Sequence, residues 1–301
     1  DIYQRITDLE ISRTLRAAYA FIVIGMGLKL AMFPMHLWMP GAYTYAPSVV
    51  TTFLSATATK VSLYVLLRFT FSVFHIEFDF ITQVFKFLIM PLAVISMFAM
   101  SFVAIFQKDI KRMLAYSSIA QIGYMLLGAS LLTQQGLTAT FVNLFNHGIT
   151  KATLFMSLGV LTLHSGRTFL SSLQGLGKKM PWISSSFLIG GLSLVGIPGT
   201  AGFVSKWMLV QATIEAGLPL LAVLIIMSSL IALVYVWKVI ECLYFLDPVS
   251  GSTIGTVSFR ILIPLWILSG SCIYWGFDPS LITVTSDVAA SNLFNNSISL
   301  N

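Results

Sequence analysis

LSLVGIPGTAGFVSKWML, residues 192–209, is the stretch that decides how this chain is read. It lies inside an apolar run over about 182–214, long enough to cross a bilayer, which takes about 20 apolar residues in a helix. In its middle Gly196, Pro198, Gly199 and Gly202 form a helix-breaking cluster, and Lys206 follows on the resumed helix. Lipid offers peptide groups no hydrogen bonds, so irregular backbone at membrane depth is tolerated only where it is buried in protein or lines a wet cavity. An interrupted helix that carries a cation therefore implies a polytopic membrane protein with a polar interior. The alternative is a loop between two short spans; each arm is too short to cross by itself, which leaves a re-entrant hairpin as its only workable form.

Composition points the same way. Of the 301 residues 57% are hydrophobic and 9% charged, where a soluble domain has about a quarter charged. Seven further apolar runs, at about 15–39, 48–69, 84–106, 112–132, 138–164, 218–246 and 259–276, are bounded by polar residues, Pro or Gly. They are twice the length of barrel strands and lack strand alternation, so the expected fold is an all-α polytopic membrane protein of about eight transmembrane helices, two of them interrupted. The net charge of +6 then carries no suggestion of nucleic acid, because cations of membrane proteins gather in loops on one side. Cys242 and Cys272, both in apolar runs, make neither a disulfide framework nor a four-ligand metal site; no metal and no cofactor are expected. The polar opening from Asp1 to Arg16 has no initiating Met and no signal segment, and reads as the continuation of a longer protein.

Counting cations by loop orients the chain. If the N-terminal stretch lies on side A, that side holds Arg5, Arg13, Arg16, Arg68 and Lys86, and side B holds Lys108, Lys111, Arg112, Arg167, Lys178, Lys179 and Arg260. Seven against five makes side B cytoplasmic, with the loops at Lys108–Arg112 and Lys178–Lys179 facing inward and the stretch from Phe277 to Asn301 a solvated tail. Five cations remain, Lys29, Lys60, Lys151, Lys206 and Lys238, all inside expected helices. A lysine at the centre of a span costs about 2.5–3.5 kcal/mol on insertion scales, and intramembrane ionisable groups are functional by default. Snorkelling accounts for a lysine near a helix end but not for Lys60 or Lys151, which sit near the centres of their runs.

A second interruption lies in GLKLAMFPMHLWMPGAYTYAP, residues 27–47, where Pro34, about a turn after Lys29, opens the helix ladder and Pro40 with Gly41 breaks the chain again. Its bland reading is a proline kink with a lysine reaching for a headgroup. The two interrupted elements correspond: Lys29 is followed 31 residues later by Lys60, and Lys206 32 residues later by Lys238. Paired interrupted segments mark ion sites in transporters built from inverted repeats. Asn143, His147 and Lys151 fall at i, i+4 and i+8, one face of one helix, and form a candidate file for proton hopping; the plain alternative for His147 is a satisfied core histidine. Lys238 and Glu241, three apart, can pair on one face, as a structural ion pair or as conducting groups. Desolvation opposes the charge on a buried lysine and a neighbouring carboxylate favours it, so a row of such lysines can load and release protons. Of the eleven carboxylates only Glu241 lies clearly within a span, so the missing acids must come from outside this sequence.

At this point the residues match a family. Pro34-Met-His36-Leu-Trp38-Met-Pro40-Gly-Ala42 through Ala46-Pro47, TATK ending at Lys60, YVLLRF at 64–69, KRMLAYSSIAQIGYM at 111–125, FNHGITKATLF at 145–155 and GIPGTAGFVSKW at 196–207 resemble, in order, the antiporter-like subunits of respiratory complex I and of Mrp-type cation/proton antiporters. The resemblance covers nearly the whole chain to about residue 246. It implies an inverted-repeat fold, with 1–69 the end of the first repeat, 84–246 the second repeat, 259–276 a final transmembrane helix and 277–301 a polar tail. It also implies that Lys29 and Lys60 serve the first repeat, that His147 and Lys151 lie on a central connecting path, and that Lys206 communicates with the far side. A glutamate partnering Lys29 would precede Asp1. Gly41 and Tyr43 depart from many complex I members, Lys206 stands where one complex I subunit has glutamate, and the text is most similar to the D subunit of Mrp antiporters. The implied function is proton translocation, with Na+/H+ antiport as its variant, in a bacterial inner membrane beside other membrane subunits. The host would be a proton-pumping oxidoreductase of the NADH:quinone type or a secondary antiporter, the chain having no bond chemistry of its own. A membrane-embedded enzyme using His36 or His147 as base is the competing class, but the sequence lacks a nucleophile–base–acid set, an acidic metal cluster and a phosphate-cradling loop. A purely structural subunit leaves five intramembrane lysines unexplained.

Overall fold

Where the chain turns, local chemistry says why. Asp109 and Thr133 cap the helices that follow them by accepting from Arg112 N and Gly136 N, the usual role of a short polar side chain before a helix. Pro181 and Pro219 open theirs at the first position, where a missing N–H costs nothing. The computed structural model describes residues 13–74, 79–247 and 257–298, with side chains to 294; Arg5, counted above, lies outside them. In order come α1 (Arg13–Leu30), α2 (Trp38–Tyr45), α3 (Ser48–Val73), α4 (Asp79–Ile105), α5 (Ile110–Ser130), α6 (Gln134–Ser165), α7 (Pro181–Val195), α8 (Ala201–Glu215), α9 (Pro219–Tyr244), α10 (Phe259–Phe277) and α11 (Ser280–Ile298). Short helical turns at Leu170–Leu173 and Leu176–Lys179 lie between α6 and α7.

Helices occupy all eight expected runs, with α1–α2 and α7–α8 the two interrupted ones, and α3, α4, α9 and α10 are long and apolar enough to cross a membrane. The first break runs over residues 31–37 and the second over 196–200. Pro34 and the pair Pro198 and Gly199 fall inside them, as expected. Pro40 does not: it sits in the first turn of α2, where proline fits a helix, and the stop after α2 comes at Ala46 and Pro47. α6, about 48 Å long at 1.5 Å per residue, is the spine, packing against α3, α5, α7, α8, α10 and α11. One end of the bundle gathers the loops counted as side B. Ile110 N donates to Thr168 O (3.0 Å), Leu170 N to Lys108 O (2.9 Å), and Gly175 N to Cys242 O (3.1 Å).

Two expectations need correction here. Within the stretch expected as a solvated tail, 280–298 form α11, which crosses α6 near its N-terminus and ends against the last turns of α3. Asp287 accepts from Gln134 Nε2 (3.1 Å) and Thr138 Oγ1 (3.0 Å), and the Phe71 and Phe294 rings lie 6.4 Å apart. The buried residues Ile282, Ser286, Ala290 and Leu293 recur at helical intervals, a stripe too narrow and too mixed with serine to read as an apolar run. Lys111 is not a loop cation either; it is buried in the first turn of α5 with Nζ 2.9 Å from Ala46 O.

The two halves of the second interrupted helix cross almost backbone to backbone. A Cβ on Gly202 would lie 1.7 Å from Ser193 O, so nothing but glycine fits without moving one half. Gly202→Ala is expected to destabilise the protein by about 1–3 kcal/mol, the usual cost of overpacking, whereas Gly25→Ala, with open space around it, should not. Thermal midpoints in detergent compare the two, and equal midpoints would contradict this close approach.

Candidate functional site

The second break creates the site. α7 ends at Val195 because Gly196 turns into the left-handed region (φ 86°), leaving the last carbonyls of α7 without helical donors. Lys206, in the second turn of α8, fills that gap: its Nζ donates to Leu194 O (3.1 Å) and Val195 O (2.7 Å). Gln121 Nε2 from α5 also reaches Leu194 O (3.3 Å), and the Tyr124 ring lies 5.0 Å from the ammonium. A cation at a helix carboxyl end and over an aromatic face is doubly favoured in a dry interior. Side chains of α6 and α7 bind the first turn of α8. Asn146 Nδ2 donates to Ala201 O (2.8 Å), Gly202 N donates to Ser193 Oγ (3.2 Å), and Thr150 Oγ1 and Ser193 Oγ are 2.9 Å apart.

α6 carries the middle of the site. Lys151 is fully buried and its Nζ donates to Leu114 O (2.8 Å) and Ser117 Oγ (2.5 Å) of α5. Lys60, on α3, donates to Ser55 O of its own helix. His147 is buried at 4% exposure, and neither ring nitrogen has a hydrogen bond among the described residues. Between His147 and Lys206 lies a cavity of about 10 Å3, lined by Gln121, Asn143, Thr150 and Ser193 as well as by these two. A single water needs about that much room and two to four polar neighbours. The three buried lysines Lys60, Lys151 and Lys206 meet carbonyls and hydroxyls and, among the described residues, no carboxylate.

Not every expected residue joins this group. Asn143 and His147 share the cavity, while Lys151, next on that face, turns to α5. Lys29 is exposed on α1, just before the first break. His36 is buried inside that break, stacked on Phe33 at 5.4 Å. Lys238 does not pair with Glu241, which is exposed; its Nζ donates to Ile105 O (3.0 Å) and Gln107 O (3.3 Å), where α4 ends. The matching spacings of 31 and 32 residues therefore do not give equivalent depths. Lys60 is more than three turns inside α3 and Lys238 within the last two turns of α9. Gln121, Ser117, Thr150 and Ser193 were not singled out from the sequence, and Tyr124 reads there as core or interfacial belt. A signal existed for three of them: Ser117, Gln121 and Tyr124 recur at four and three residues, one face of α5.

Comparison with known proteins places this geometry. Residues 4–232 match the family described as NADH:quinone oxidoreductase/Mrp antiporter, transmembrane. A NADH-quinone oxidoreductase subunit N from Desulforudis audaxviator is 38% identical over 233 residues, covering 75% of this chain and 45% of that protein. Among solved structures, a chain of the membrane-bound sulfane sulfur reductase, an archaeal respiratory membrane complex, superposes with a TM-score of 0.89 at 30% identity, over 99% of this chain and 60% of that one. A chain of the Mrp complex from Dietzia sp. shares the fold with a TM-score of 0.86 at 24% identity, over 95% of this chain and 60% of that one. The chain thus spans about half the length of the curated relatives it matches. The curated relatives it matches include N subunits, while the likeness to the D subunit of Mrp antiporters rests on motif text.

Ser193→Ala leaves the buried Gly202 N–H without its acceptor, at a cost of about 1–3 kcal/mol. The expected result is a lower thermal midpoint together with faster hydrogen exchange at the Gly202 amide. Unchanged protection there would remove this hydroxyl from the scaffold of the break.

Proposed function

The chain belongs to the NADH:quinone oxidoreductase/Mrp antiporter transmembrane family, and from that premise we propose that it translocates protons as one subunit of a larger membrane assembly. The observation that supports this reading is the set Lys60, Lys151 and Lys206, buried without a carboxylate among the described residues, with His147 a turn before Lys151 on α6 and sharing a water-sized cavity with Lys206. A lysine held only by dipoles in a low-dielectric interior sits close to the balance between keeping and releasing its proton, and a nearby charge tips that balance.

In the proposed cycle protons arrive by Lys29 and Lys60, pass the His147 and Lys151 region, and leave by Lys206. His147 has both ring nitrogens available, so it can accept on one and donate from the other. One water in the cavity would span the gap to Lys206. Each proton that moves changes the field at its neighbours, as expected of coupled titrating groups. Lys29 faces outward from α1 and in this reading meets a carboxylate brought by another part of the assembly. Adjacent membrane subunits supply the driving charge movement. The chain is an integral membrane protein; the finer proposal is a bacterial inner membrane with the loops at Lys108–Arg112 and Lys178–Lys179 in the cytoplasm.

Lys29→Ala and Lys206→Ala, made in the full-length subunit within its parent complex, are expected to bring proton uptake per assembled complex in reconstituted vesicles down to the level of empty vesicles. Wild-type uptake in either variant would sink the mechanism, and an imposed sodium gradient that drives uptake in the wild type would identify antiport. For the orientation, a cysteine at Lys178 should react with an impermeant maleimide from the cytoplasm and one at Gln135 only from outside. The reverse pattern would overturn the assignment of sides.

A further inference from the structure

Lys111 has no place in the relay, yet its side chain is as little exposed as those of Lys60 and Lys206, at 6%. Its neighbour Arg112 is exposed, as expected of a cation at the end of a span. Lys111 instead runs inward from α5, and its Nζ lies 2.9 Å from Ala46 O, at the carboxyl end of α2. Asp109, two residues before it, is already engaged: its carboxylate accepts from Arg112 N and from Thr168 Oγ1. The ammonium is thus turned to a carbonyl rather than to the nearest acid. A helix end presents partial negative charge on its last carbonyls, and a cation placed there is held by both the hydrogen bond and the dipole.

The rest of α2 agrees with an anchored element. Thr51 Oγ1 donates to Tyr43 O (3.1 Å), and Tyr43 is buried with its ring edge-on to Phe155 of α6 at 5.8 Å. At the other side of the break, the last turn of α1 is tied to α2 only by Trp38 Nε1 on Leu28 O (2.8 Å), among side-chain bonds of the described residues, and Lys29 is exposed. The second interrupted helix is arranged differently. There the carboxyl end that faces the break, that of α7, is capped by Lys206, a relay lysine. At the first break the carboxyl end of α1 receives Trp38 Nε1 on Leu28 O, and Lys111 holds the far end of α2, so neither contact uses Lys29.

We propose that Lys111 is a positioning residue that clamps α2 to α5 through Ala46 O, so that α2 is the fixed half of the first interrupted helix and rearrangement at its break falls on α1 and Lys29. The importance of this clamp for transport rests on the proton-translocating reading; the clamp itself does not.

The test uses the full-length subunit in its parent complex, with spin labels on cysteines at the exposed positions Tyr45 and Lys108. Lys111→Met, which keeps the stem and loses the donor, is expected to broaden the distance distribution between the labels, and Lys111→Arg to restore a narrow one. Proton flux per assembled complex should fall with methionine and recover with arginine. Should the methionine variant fail to assemble, Lys111→Gln, whose amide falls short of the carbonyl, is read in the same way. An unchanged distribution in the neutral variant overturns the clamp. A broadened distribution with unchanged proton flux overturns its role in positioning Lys29. Absence of proton flux in the wild type would instead count against the proposed function and leave the distance result standing.

Discussion

An ammonium group resting on the bare carbonyl end of an interrupted helix is the interaction around which this structure is organised. Each partner is expensive without the other: a lysine in the membrane interior loses its hydration, and a helix that stops at membrane depth exposes acceptors that lipid cannot satisfy. Lys206 on Leu194 O and Val195 O removes both costs with one contact. The same solution recurs at the bundle end, where Lys111 meets Ala46 O and Lys238 meets Ile105 O and Gln107 O. Three lysines from different helices thus share one physical role, and only one of the three stands in the proposed relay.

The breaks in turn demand close packing. Gly202 approaches Ser193 O so nearly that a side chain is excluded, and a Cβ on Gly276 of α10 would lie 2.4 Å from Gly199 O. α6 lends Asn146 and Thr150 to satisfy the polar groups that this approach leaves exposed. The hydroxyls and amides that look scattered in sequence therefore serve a scaffold. Conduction, in the proposed reading, uses the few groups that the scaffold does not consume, His147 foremost, since both its ring nitrogens remain without hydrogen bonds among the described residues.

Much of this was legible beforehand. Apolar runs bounded by Pro and Gly gave the spans, because a bilayer imposes length and helicity so strictly that little else can be built. Gly196, Pro198 and Gly199 announced the second break, and Pro34 the first. Pro40 misled, since proline signals an interruption in a helix interior but a beginning in its first turn. The helix over 280–298 was hidden because its buried stripe is one residue wide and mixed with serine. Lys111 was hidden for another reason: a lysine beside Arg112 at the end of a span looks the same in sequence whether it faces water or a carbonyl.

By itself the sequence determined that the chain crosses a membrane as helices, where two of them are interrupted, and that Lys60, Lys151 and Lys206 are stranded inside, since each follows from the local cost of polar groups in hydrocarbon. Only the tertiary structure decided which of those cations meet. Equal spacing along the chain put Lys60 and Lys238 in parallel, yet one lies deep in α3 and the other near the end of α9. The depth of a residue depends on where its own helix begins and what it packs against, and residue separation along the chain records neither.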